Sequence, residues 1–226
     1  MTTILQQPTP HNGPHQGQMI STTGKPLDQA AAAMILVHGR GATAPSILGL
    51  AQEFNHNQFA YLAPPARNNT WYNHSFLNPL TDNQPGLDSA LQAIADVVAF
   101  IEKSGLPAEK IIIGGFSQGA CLSMEYIARN AKRYGGAFAY SGGVIGPLNM
   151  PRAYGGSLEG TPIFLGCSDV DFHIPVERVH ETAAVMTTLG GNVTKKIYPQ
   201  MGHTVNIDEI QHVQAIMTTL TNRTHK

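Results

Sequence analysis

A chain of 226 residues with fourteen Lys and Arg against fifteen Asp and Glu suits a single domain. It carries no basic footprint for nucleic acid or for an anionic membrane surface. Its two cysteines, Cys121 and Cys167, make no disulfide framework and match no zinc spacing. They read as buried thiols in a reducing, cytoplasmic compartment, since no apolar run approaches the roughly 20 residues of a membrane span and the N-terminus lacks the pattern of a secretory signal.

Residues 1–18 are rich in Gln, Pro, His and Gly and read as a flexible N-terminal arm, with His11 and His15 in a solvated tail. Residues 19–226 read as one domain. The first firm element is the apolar run Ala31 to Gly39, a strand covered on both faces as in a parallel sheet. It ends in HGRGA, and Ala44 to Phe54 follows with a helical pattern. Phe59 to Ala63 is a second strand. The segment Pro64 to Gly86 is a long polar and aromatic loop holding Trp71, Tyr72 and Phe76, and loops of this length are commonly functional. These three rings are candidates either for packing onto the domain or for lining a substrate pocket.

Leu87, Leu91, Ile94, Val98 and Ile101 fall at helical spacing, with Asp88 as the expected N-cap and Gly105 as the stop. The stretch Ile111 to Gly119, IIIGGFSQG, runs three β-branched residues into two glycines and places Ser117 in the spacing G-x-S-x-G. A serine in that frame suits a sharp strand-to-helix turn that holds its hydroxyl outward. Cys121 to Asn130 continues as a helix, and AFAYSG, ending at Gly142, is another strand. The link from Gly143 to Gly160 is too short for a cap domain, which leaves the site open to solvent. Thr161 to Gly166 is a strand, Pro175 opens a helix, VTKKIYP is the last strand, and Asn206 with Glu209 forms a capping-box pair before the last helix. Strands alternating with helices imply a mostly parallel sheet with helices on both faces.

In such sheets, ligand-facing residues gather at the carboxyl ends of strands. Four strand ends here carry polar groups: HGRG, GFSQG, SDVD and GHTVN. Ser117 is the candidate nucleophile, and a serine hydroxyl needs a neighbouring base. His203, beyond the last strand, is the candidate base. His38 also ends a strand but precedes Gly39 in a loop suited to oxyanion donors. Asp169 and Asp171 both follow the TPIFLG strand, and either could orient the imidazole. Read with His173 as metal ligands, they lack anything nearby to complete a set, so no metal or organic cofactor is expected.

Taken together, VHGRGA, GGFSQGA, DFHIP and QMGH, spread over Ala31 to Leu220, resemble the carboxylesterase, lysophospholipase and acyl-protein-thioesterase family of small α/β-hydrolases. The resemblance implies the α/β-hydrolase fold and a serine hydrolase of carboxylic esters or thioesters acting through an acyl-enzyme. It places the nucleophile at Ser117 and the base at His203, and it tips the acid to Asp171, with Asp169 as the alternate. The oxyanion donors it implies are the main-chain N–H groups of Gln118 and Arg40. Trp71, Tyr72 and Phe76 are expected to line the substrate. Two positions depart from the family pattern: Ala42 stands where the HGxGD motif has Asp, and Phe172 where the acid turn has Pro. The partner expected is a small-molecule ester or thioester, with no nucleic acid and no integral membrane contact; a homodimer is left open. The rival readings are a dienelactone-hydrolase-like lactone hydrolase, a class that uses cysteine where this chain has Ser117, and a non-catalytic binding protein on the same scaffold.

Overall fold

Six consecutive apolar residues, Ala32–Val37, form a fully buried strand in the computed structural model, which describes residues 2–5 and 13–222. Alternation explains how every position is covered. Ala33, Ile35 and Val37 point into one apolar cluster, and Ala32, Met34 and Leu36 into another on the opposite face. Among the described residues the sheet has eight strands. They are β1 (Thr2–Leu5), β2 (Met19–Gly24), β3 (Ala32–Val37), β4 (Phe59–Ala63), β5 (Ile111–Phe116), β6 (Gly136–Tyr140), β7 (Pro162–Ser168) and β8 (Asn192–Tyr198). Their order is β1-β2-β4-β3-β5-β6-β7-β8. β1 and β2 run antiparallel to their neighbours, and the six strands from β4 to β8 are mutually parallel.

Helices cover both faces. On one side lie α3 (Gly86–Lys103), α4 (Gln118–Arg129) and α5 (Val176–Thr188), whose Leu87, Ile94, Ile101, Leu122, Ile127, Val179 and Met186 enter one cluster. On the other lie α1 (Ala44–Ile47), α2 (Leu50–Phe54) and α6 (Ile207–Asn222), which contribute Ile47, Phe54, Ile210, Val213 and Met217. Burying each such side chain is worth about 1.5–3 kcal/mol. The chain leaves β3 toward β4 on one side and returns as β5 on the other, so a topological switch point opens between the carboxyl ends of β3 and β5.

Several local expectations are revised. The helix expected over Ala44–Phe54 is two short ones, because Gly49, Ala51 and Gln52 donate to carbonyls only three residues back. α3 begins at Gly86 with Pro85 at its cap. Asp88 instead sits in the first turn, where its N–H and carboxylate both bond the Gln84 side chain. Pro175 is the cap of α5 rather than its first residue. The strand expected to end at Gly142 stops at Tyr140, where Ser141 turns to φ 50°. The capping box is present: Asn206 N–H donates to Glu209 at 2.9 Å, and Glu209 N–H donates to Asn206 Oδ1 at 3.0 Å.

The solvated-tail reading of residues 1–18 fails at His15, which is only 2 % exposed. Its Nδ1 accepts from Arg67 N–H at 3.0 Å, which leaves Nε2 to donate to the Trp71 carbonyl at 2.9 Å. The part of the arm at residues 6–12, His11 included, lies outside the described residues. Among the described residues, no helix is long and apolar enough to cross a membrane.

Candidate active site

The turn after β5 is made by close packing. Gly115 and Gly119 both press against the Val37 carbonyl so tightly that a Cβ at either would overlap it. The backbone of β5 and the start of α4 can therefore lie against the end of β3. Between these glycines Ser117 adopts φ 56°, ψ −121°, a region sparsely populated by residues with a side chain, at a cost on the order of 1–3 kcal/mol. Its N–H donates to Tyr140 O and its carbonyl accepts from Cys121 N–H, each at 3.0 Å. Main-chain bonds on both sides thus hold the strained conformation and turn the hydroxyl outward.

His203 meets that hydroxyl. Its Nε2 is 3.0 Å from Ser117 Oγ, and its Nδ1 is 2.7 Å from Asp171 Oδ2. A carboxylate accepts only, so Nδ1 carries the proton and Nε2 is the acceptor for the serine. Asp171 is fixed in turn: its Oδ1 accepts from His173 N–H at 2.8 Å and Ile174 N–H at 3.0 Å. Burial works against its charge, but the His203 bond and these two N–H groups outweigh it and hold the carboxyl below the usual carboxylate range.

Asp169 does not reach the imidazole in this way. Its Oδ1 accepts from Gln200 N–H at 2.8 Å, and Ser168 Oγ accepts from Gly202 N–H at 3.0 Å. These two residues tie the loop after β7 to the loop that carries His203. Both carboxylates are thus engaged by main-chain donors. Among the described residues, no three His, Cys, Asp or Glu side chains are grouped to hold a metal ion.

The loop after β3 closes the other side. Gly39 packs against Phe116 and Ser117 closely enough that a Cβ there would stand 3.4 Å from Ser117 Cβ. Gln118 is the first residue of α4, where an N–H has no acceptor within the helix. A cleft of about 530 Å³ opens over these groups. It is walled by Arg40, Tyr72, Phe76, Phe116, Ser117 and His203 among others, and its size is ordinary for a small-ligand site.

Tyr72 and Phe76 fall in that wall. Trp71 does not. It is fully buried, its Nε1 donates to His38 O at 2.9 Å, and its ring lies 5.0 Å from that of His38. It packs the long loop onto the domain. The Gln118 side chain completes this clamp: Oε1 accepts from Trp71 N–H at 3.0 Å, and Nε2 donates to Tyr72 O at 2.8 Å. That role of the Gln in GFSQG was not expected, because nothing local in the sequence signals a partner some 46 residues away. His74 and Cys121 also line the cleft without a sequence signal, as does His173, which the sequence offered only as a metal ligand. Burial pushes the Cys121 thiol up to about 12, which keeps it protonated and a poor nucleophile.

The model of the phospholipase/carboxylesterase family matches residues 19–221. The chain belongs to that family. A phospholipase/carboxylesterase from Dyadobacter fermentans has a crystal structure that is 44 % identical to this chain, covers 88 % of it and 95 % of its own length, and superposes with a TM-score of 0.84. A probable carboxylesterase, SOBER1-like, from Arabidopsis thaliana is 27 % identical, covering 83 % of this chain and 79 % of its own. Acyl-protein thioesterase 1 of Saccharomyces cerevisiae is 26 % identical over 84 % of this chain and 93 % of its own. As a phospholipase/carboxylesterase family member with the α/β-hydrolase fold, the protein is an ester hydrolase of the serine type, and a small-molecule ester is its class of substrate.

Proposed function

We propose that the protein cleaves carboxylic esters and thioesters with Ser117 as nucleophile, His203 as general base and acid, and Asp171 as the group that orients and stabilises the imidazolium. The observation that carries this reading is the unbroken line of short contacts from Asp171 through His203 to Ser117 at the floor of the cleft. His203 Nε2 takes the serine proton as Oγ attacks the acyl carbon. The oxyanion then faces the main-chain N–H groups of Gln118 and Arg40, and one such donor is worth about 10²–10³ in rate. The same imidazole returns the proton to the leaving oxygen or sulfur. It next takes a proton from water, which attacks the acyl-enzyme and restores Ser117. Tyr72 and Phe76 supply apolar surface to the acyl group. The two unpaired, buried thiols favour a cytoplasmic setting.

The test of the acid assignment is steady-state hydrolysis of p-nitrophenyl acetate and of a short acyl thioester by Asp171→Asn and Asp169→Asn. Asp171→Asn is expected to lower kcat about 10³–10⁴-fold on both substrates, because the Asn amide stabilises the wrong tautomer of His203. Asp169→Asn loosens only the Gln200 anchor, and its loss is expected to be at least about a hundredfold smaller. The reverse ranking would hand the acid role to Asp169.

A further inference from the structure

The cleft is electrically one-sided. Arg40, His74, His173 and His203 stand in its wall, and no Asp or Glu is among its described lining residues. Asp171, behind His203, has one oxygen on that imidazole and the other on two main-chain N–H groups. The chain as a whole is near neutral, at a formal net charge of −1 with histidines neutral, and Arg40 is the one permanently charged side chain among the described lining residues of this wall.

Arg40 is exposed, yet it is held. Its Nη1 donates to Asn73 O at 3.0 Å and its Nη2 to His74 O at 2.9 Å. Its guanidinium carbon lies 6.0 Å from the centre of the Tyr72 ring. Among the described residues it pairs with no carboxylate, unlike Arg129, Arg152 and Arg178. A guanidinium has five N–H donors, and two carbonyls occupy only two of them. The planar fork is already positioned, so an anionic oxygen group binding there need not first order a flexible side chain.

We infer that the enzyme selects esters carrying a carboxylate on the acyl or alcohol part, with Arg40 as the specificity-determining residue. This rests on the Ser117 reading above and adds the charge of the substrate to it. The carboxylate takes the remaining guanidinium donors while the ester carbonyl sits over Ser117. The arrangement uses a charge-assisted contact in a partly enclosed site, which is stronger than a neutral one. Phosphate shares this anionic-oxygen chemistry, and a separate arm of the test distinguishes it.

The experiment compares kcat/KM within pairs of esters differing in charge: mono-p-nitrophenyl succinate against p-nitrophenyl pentanoate, and para-acetoxybenzoate against its methyl ester. The wild-type enzyme is expected to favour the anionic member about tenfold in at least one pair, mainly through KM, and to lose that preference as salt is added. Arg40→Gln should bring the ratio to about one, and Arg40→Lys should keep part of it, because charge survives while the fork does not. The ratio is the readout, so a change in overall rate from disturbing the Arg40 loop does not enter it. Replacing para-acetoxybenzoate by para-acetoxyphenyl phosphate reads the second anion. A larger preference for the phosphate shifts the substrate class away from carboxylates and overturns that choice. Turnover of neutral esters with no anion preference, or a preference that survives Arg40→Gln, overturns the inference alone. No turnover of any ester, with no acylation of Ser117, overturns the underlying reading and this one with it.

Discussion

His38 and His203 both follow strands of the parallel sheet at their carboxyl ends, one after β3 and the other after β8, and their surroundings give them opposite work. His38 is fully buried. Its Nε2 accepts from Ala66 N–H at 3.1 Å, so Nδ1 must donate to Gly39 O at 2.9 Å. Both ring nitrogens are spent on the main chain, and burial holds its pKa below the ordinary histidine value. His203 also commits Nδ1, but to a carboxylate, and it turns Nε2 to a serine at the edge of an open cleft. His38 ties together the loops that shape the site, in company with Trp71 and His15. His203 instead presents its second nitrogen to the Ser117 hydroxyl at the cleft. What separates them is the partner of the second nitrogen rather than position along a strand.

Substitution at the two corners should dissociate activity from stability. His203→Ala or Ser117→Ala is expected to lower kcat about 10⁴-fold or more in p-nitrophenyl acetate hydrolysis, while shifting the urea midpoint by the equivalent of no more than about 1 kcal/mol. His38→Ala strands a buried N–H and a buried carbonyl and should cost about 2–5 kcal/mol of stability in the same urea titration. If His38→Ala unfolded no more easily than His203→Ala, the contrast between the corners would be lost.

Acid should weaken the buried corner in a defined window. His15 and His38 both have pKa values lowered from 6.5 chiefly by desolvation, so the unfolded chain binds more protons than the folded one below that value. Their contribution to stability is therefore complete above about 6.5 and is lost as pH falls through the lowered folded values. Asp171, also lowered, adds a loss in the more acid carboxylate range. Glu209, whose carboxyl burial pushes up to about 7, adds stability as pH falls over the same range, so the histidine loss is read by difference: the gap in urea midpoint between wild type and His15→Gln should close as pH falls below about 6.5.

The smallest effect lies at the serine. Ser117→Gly and Ser117→Ala both remove the proposed nucleophile, but only glycine relieves a backbone at φ 56°. The glycine variant should be the more stable of the two by about 1 kcal/mol, read as the difference in urea midpoint.

Much of the open corner was legible in the sequence because its signals are local. The glycines around Ser117 and the pairing of Asn206 with Glu209 each constrain a few adjacent residues, whereas the residues alone left Asp169 and Asp171 open and only the family resemblance pointed to Asp171. The alternation of apolar runs likewise fixed the parallel sheet and its two covered faces. The closed corner was not legible. Trp71 reads equally well as a pocket ring or a core ring, and what decides it is contact with His38 and Gln118, 33 and 47 residues away in the chain. His15 reads as part of a polar tail, yet it is buried against the same loop, bonding Arg67 and Trp71. Side chains in polar, glycine-rich segments take their burial from distant partners, and no short window of sequence carries that information.

Reaction with a fluorophosphonate, followed by peptide mapping of the adduct, tests the central claim most directly. The account predicts one stoichiometric adduct on Ser117 in the folded protein, lost in Ser117→Ala and strongly slowed in His203→Ala. A folded wild-type protein that forms no adduct, or forms it on another residue, would contradict it.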